Sequence, residues 1–114
     1  MNIFDLRNDQ LEAMKALRNF HVKNHRDLQP LQAIQEFNEL SQELTKYMIN
    51  IALGKDVNYL KLYNELFDAY SLMATMYRIF VKDLNQHGMF QICADQKINR
   101  EIVRWGIEYE DVKK

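Results

Sequence analysis

The chain has 114 residues with 15 basic and 16 acidic side chains, and its net charge of −1 gives no electrostatic footprint for nucleic acid. That length supports one core, hence a single domain over residues 1–114. No 18-residue apolar run is available to cross a membrane, and the opening Met1-Asn-Ile-Phe-Asp-Leu-Arg7 lacks the apolar heart of a signal peptide. A single cysteine, Cys93, excludes an intramolecular disulfide framework and suits a reducing cytoplasm, expected to be that of a bacterium or a phage host. As a free thiol it is expected to pack as a small buried hydrophobe.

Three glycines and one proline favour long helices over a turn-rich sheet. The expected fold is all-α, a four-helix bundle-like unit built around a central antiparallel helix pair. A first helix runs from about Asp9 to His21, capped by Asn8 or Asp9, with Leu11, Met14, Leu17 and His21 on one face. The polar stretch from Lys23 to Gln29 reads as a loop. Pro30 suits the first turn of a second helix, where its missing N–H costs nothing. That helix extends to about Leu53, with Ala33, Phe37, Leu40, Leu44, Met48 and Ile51 as its core stripe and Gly54 as its stop. Asp56 or Asn58 caps a third helix to about Asn85, striped by Leu62, Leu66, Ala69, Met73, Met76 and Phe80 and flanked by Tyr59, Tyr70 and Tyr77. Gly88 is expected to end it. A fourth helix from about Phe90 to Trp105 carries Ile92, Cys93, Ile98, Ile102 and Val103, and the charged residues from Glu108 to Lys114 are expected to fray.

Two acidic pairs stand out on the central helices, Glu36-Phe-Asn-Glu39 and Glu65-Leu-Phe-Asp68. Spacing of i, i+3 puts both carboxylates of a pair on one helix face, about 5–6 Å apart at Cβ, at a cost of a few tenths of a kcal/mol. At about 100° per residue, Glu36 lies some 70° from the centre of its stripe and Glu39 about 60° further round. Glu65 and Asp68 have nearly the same offsets with the same hand. Two antiparallel helices are related by a twofold axis, so offsets of one hand bring both pairs to one side of the helix pair. The axial register is less constrained. A hairpin turning at residue 52 sets Glu39 against Glu65 and Glu36 against Asp68, whereas a turn at Gly54 to Asp56 leaves a slip of about one helical turn at ~1.5 Å per residue. Spacing alone leaves two readings open: a shared site for a hard divalent cation and a solvated acidic face.

At these residues the chain resembles the MazG-like, all-α nucleoside triphosphate pyrophosphohydrolases, which carry ExxE, a spacer, then ExxD. Ala33-Ile-Gln-Glu36-Phe-Asn-Glu39 through Lys46-Tyr47 is similar to the first motif and its continuation, and Asn64-Glu65-Leu-Phe-Asp68-Ala-Tyr to the second. The resemblance spans residues 31–105, including a basic stretch, Gln96-Lys97-Ile-Asn99-Arg100, on the fourth helix. It implies that Glu36, Glu39, Glu65 and Asp68 bind Mg2+ or Mn2+, and that water cleaves a nucleoside triphosphate into the monophosphate and pyrophosphate. Glu36 and Glu39 are both candidates for the general base, and Lys97 and Arg100, with Lys46, for holding the phosphates. It also implies a homodimer or homotetramer. Many members have a further Glu before each motif, where this chain has Gln35 and Asn64, so the surroundings of the acids differ.

Elsewhere the chemistry is sparse. His21, His25 and His87 are scattered and none stands in the spacing that di-iron bundles require; there is no HExxH, CxxC or glycine-rich phosphate loop. Arg104 reads as surface, and the tyrosines as core or subunit contacts. The competing functional reading is a non-catalytic helical interaction module whose acids are simply solvated.

Overall fold

A computed structural model describes residues 2–108, and the expectation of fraying beyond Glu108 lies outside them. Among these residues the fold is all-α, with no strand: α1 (Asn8–Asn24), α2 (Gln29–Ala52), α3 (Tyr59–Tyr77) and α4 (His87–Trp105). A 3-10 turn, Arg26–Leu28, joins α1 to α2, and a π-helical turn, Arg78–Lys82, continues α3. Among the described residues no helix is long and apolar enough to cross a membrane. Contacts divide the chain between Ile79 and Phe80 into two compact units, described separately below.

In the first unit α2 and α3 form the dominant helix pair, and α1 touches α3. Local chemistry sets the ends of these helices. Arg7, one residue before the expected caps, precedes α1, with its backbone N–H donating to the Gln10 side chain (2.9 Å). α1 runs three residues past His21, and the stretch expected as loop tightens into the 3-10 turn. Pro30 sits in the first turn of α2. Gly54 adopts φ +67° just beyond the end of α2, and the Lys55 N–H reaches back to the Asn50 carbonyl at 2.8 Å, a left-handed glycine cap. The Asn58 side chain accepts from the Lys61 N–H at 3.1 Å and starts α3.

This return loop settles the axial register. Glu43 pairs with Lys61 across the helices, and Tyr47 lies near Tyr59, the rings tilted and their centroids 6.4 Å apart. The segment from Lys55 to Asn58 runs back along the last turn of α2, with Val57 and Asn58 beside Tyr47 and Asn50. It therefore absorbs the one-turn slip, and α3 starts opposite Tyr47 instead of opposite Ala52.

The stripe expected to form the core is only partly buried. Ala33 and Ala69 are buried between α2 and α3, whereas Phe37, Leu44, Met48 and Ile51 of α2, and Leu66 and Met73 of α3, are exposed. The α3-facing side of α2 is instead Ala33, Glu36, Leu40, Glu43 and Tyr47. Small residues at the crossing bring the helices together, and the larger apolar side chains are displaced to one flank. Val22, Thr75 and Ile79, with Gln29 and Glu43, complete the buried set of this unit among the described residues.

In the second unit the chain leaves the π turn and reverses at Asn85, a non-glycine residue at φ 58°. Gly88 does not end α3; it lies inside the first turn of α4, because Asn85 supplies the left-handed turn. α4 starts at His87, three residues early, and closes on Gly106 at φ 62°. Cys93 is exposed, contrary to the expectation of a buried thiol, and none of the residues of α4 is buried.

Candidate functional site

The four acids meet on one side of the α2–α3 pair. One carboxylate oxygen each from Glu36, Glu65 and Asp68 lies within 4.8 Å of the other two. Glu36 comes from one helix and Glu65 and Asp68 from the other, so the register just described is what assembles the trio. Glu39 lies at its exposed rim, within hydrogen-bonding reach of both Glu36 and Glu65.

The electrostatics are those of a crowded anion cluster. Glu36 and Glu65 are half-buried, and each has an Oε2 atom shielded from solvent with no hydrogen-bond partner. Loss of hydration pushes the Glu36 carboxyl above its ordinary value of 4.5, and the charges of Glu39, Asp68 and Glu65 push it further the same way. The Glu65 carboxyl is raised for the same leading reason, then by Glu39 and Asp68, while Lys61 one turn earlier on α3 opposes the shift. Shielded acceptors without donors cost free energy unless a proton or a cation satisfies them.

The donor set suits a hard cation. Magnesium holds oxygens at ~2.0–2.1 Å, so opposite ligands span about 4.2 Å. A contraction of about half an ångström brings the widest separation in this trio to that span. Carboxylates also suit manganese, and no thiol or imidazole belongs to the cluster to favour zinc.

Beside the acids lies a second charged feature, a buried glutamate bridged by two lysines. Glu43 is only 8% exposed, and its Oε1 receives Lys46 Nζ at 3.1 Å and Lys61 Nζ at 3.4 Å. These contacts, led by the Lys46 hydrogen bond, hold the Glu43 carboxyl below its ordinary value even though burial pulls the other way. Glu43 follows Glu39 by four residues and Lys61 precedes Glu65 by four, so the i, i+4 pattern on both helices was the available signal. Lys46 is thus engaged with Glu43 and does not approach the trio with a free ammonium.

Lys97 and Arg100 stand on exposed positions of α4, in the second unit. Arg104 pairs with Glu101 at 3.8 Å and lies over the Trp105 ring at 5.4 Å, as a surface residue does. No family model matches the chain, and no curated protein or solved structure is found to match it either.

Proposed function

We propose that the chain is a Mg2+- or Mn2+-dependent nucleoside triphosphate pyrophosphohydrolase of the MazG-like kind, converting a (d)NTP into the (d)NMP and pyrophosphate in nucleotide-pool housekeeping. The observation that carries this reading is the trio Glu36, Glu65 and Asp68, drawn from two helices into one cation-sized set with shielded, unpartnered oxygens. A bound divalent ion supplies neutralisation of phosphate charge and a water of lowered pKa. Glu36, Glu65 and Asp68 would hold it. Glu39, at the rim and outside the trio, is the better placed of the two general-base candidates to take a proton from the attacking water. Lys46 would first have to leave Glu43 to meet a phosphate.

A second reading, a non-catalytic helical interaction module, is favoured by the exposed apolar side chains of α2 and α3. Pyrophosphate release from a panel of canonical and modified nucleoside triphosphates, with Mg2+ or Mn2+ present, separates the two. The enzymatic reading predicts equimolar monophosphate and pyrophosphate, abolished by chelation and by Glu36→Gln. Orthophosphate as the product, or no turnover across the panel, contradicts it.

A further inference from the structure

We propose that Lys61 is a resident counter-cation for the acidic cluster, and that Glu43 is the tether holding its ammonium beside the trio and out of the place a divalent ion takes. The inference rests on the metal reading of Glu36, Glu65 and Asp68 and concerns how tightly that set holds its ion. Glu43 is a positioning residue here, because it acts on the ion through Lys61.

Both ends of Lys61 are fixed. Its backbone N–H donates to the Asn58 side chain at 3.1 Å, and its Nζ lies 3.4 Å from Glu43 Oε1. A cation is thereby placed in the first turn of α3, at the helix end whose free N–H groups already carry positive charge and where a lysine is unfavourable. Its own helix gives a weak reason for it. Glu65 follows by four residues, but a lysine N-terminal to a glutamate is the poorer order of such a pair. The compensating partner comes from the other helix, and burial suits Glu43 to the task. At 8% exposure, its carboxylate is costly without partners and so retains them. Lys46 takes the same oxygen at 3.1 Å. Two ammonium groups on one carboxylate leave a surplus of positive charge. That surplus stands one turn from the acids on both helices, since Glu39 precedes Glu43 by four residues and Glu65 follows Lys61 by four.

The tether decides where this charge goes. Residues four apart on a helix are neighbours, about 5–6 Å at Cβ, so an ammonium released by Glu43 can reach Glu65. The shielded Glu65 Oε2, which accepts no hydrogen bond, is the acceptor it would take. Held on Glu43, the charge is still felt, because it opposes the rise of the Glu65 carboxyl. Lys61 thus eases the crowding of the empty cluster and weakens its hold on a cation, while the tether keeps the cation's place clear. Such a set exchanges its ion readily, as suits magnesium shared between carboxylates and substrate phosphates.

Calorimetric titration of Mn2+ into wild type, Lys61→Met, Glu43→Gln and the double variant tests this. Removing the ammonium is expected to tighten binding about three- to tenfold, the scale of charge repulsion across several ångströms near a protein surface. Glu43→Gln is expected to weaken binding by a similar factor, because the freed Lys61 then competes with the ion. The gain from Lys61→Met is expected to be larger in the Glu43→Gln background than in wild type, the coupling that a tether requires. A Glu43 that served only stability would lower the melting temperature and leave the two gains equal. Equal gains, or no gain from Lys61→Met in wild type, overturn the inference and leave the metal reading standing. Should Glu43→Gln lose its helical circular dichroism, Glu43→Asp, which shortens the tether and keeps its charge, takes its place in the same cycle. No Mn2+ binding in any of the proteins overturns the metal reading and the inference with it.

Discussion

The two flanks of the α2–α3 pair are made by the same helices, in the same register, with opposite chemistry. One gathers Glu36, Glu39, Glu65 and Asp68 into a cluster that raises the carboxyl pKa values of Glu36 and Glu65. The other presents Phe37, Leu44, Met48 and Leu66 to solvent. Between them lie Ala33 and Ala69, small enough to let the helices approach. Within the first unit the acids crowd one another with Lys61 opposing, and the other flank leaves its apolar side chains exposed.

The largest expected effect comes from the acidic flank. Asp68→Asn should lower kcat/KM for pyrophosphate release by at least about 100-fold while leaving the sedimenting mass unchanged. Leu44→Glu with Leu66→Lys, on the apolar flank, should leave the rise in melting temperature with Mg2+ intact. If both classes of substitution removed that response equally, the separation of the flanks would fail.

Next in size is a pH dependence. A carboxyl raised in the folded state contributes stability that is fully present below its unfolded value and is lost as pH rises through the folded one. Glu36 and Glu65 are raised from 4.5, so the metal-free protein should lose stability as pH climbs above that value. Because ligation requires the deprotonated form, the melting shift produced by Mg2+ should grow across the same window. Calorimetric melting with and without the ion checks both signs.

Much of this was legible in the sequence, and the failures have physical causes. Four helices, the Pro30 start, the Gly54 stop and the Asn58 cap all follow from local rules that tertiary packing had no reason to override. The meeting of the acids followed from helix periodicity and the twofold of an antiparallel pair. The register did not, because it depends on the Lys55–Asn50 hydrogen bond folding the loop back, a choice that spacing does not encode. The apolar stripes are legible as stripes, but periodicity puts their centre at the helix contact. Alanines set that contact, and the bulky residues were displaced to a flank. Glu43 was missed because a lone glutamate four residues from an acidic pair resembles solvated surface; only the approach of Lys61 from the other helix closes it in.

A smaller effect should come from that Glu43 bridge. Its carboxyl is lowered in the folded state, so it contributes stability above its unfolded value that is lost as pH falls through the folded one. Glu43→Gln should lower the melting temperature at neutral pH by a few degrees and abolish that acid-side contribution. The smallest change, Glu36→Gln, should raise the metal-free melting temperature slightly by relieving like-charge crowding worth a few tenths of a kcal/mol, in exchange for a lost response to Mg2+.

The most direct test of the acidic flank is a calorimetric titration of Mn2+ into wild-type chain, Glu36→Gln, Asp68→Asn and the Leu44→Glu, Leu66→Lys variant. Saturable binding in the wild-type and apolar-flank proteins, lost in both acidic-flank variants, is the predicted result. Equal heats in all four proteins, or none in the wild type, would contradict a metal site between α2 and α3.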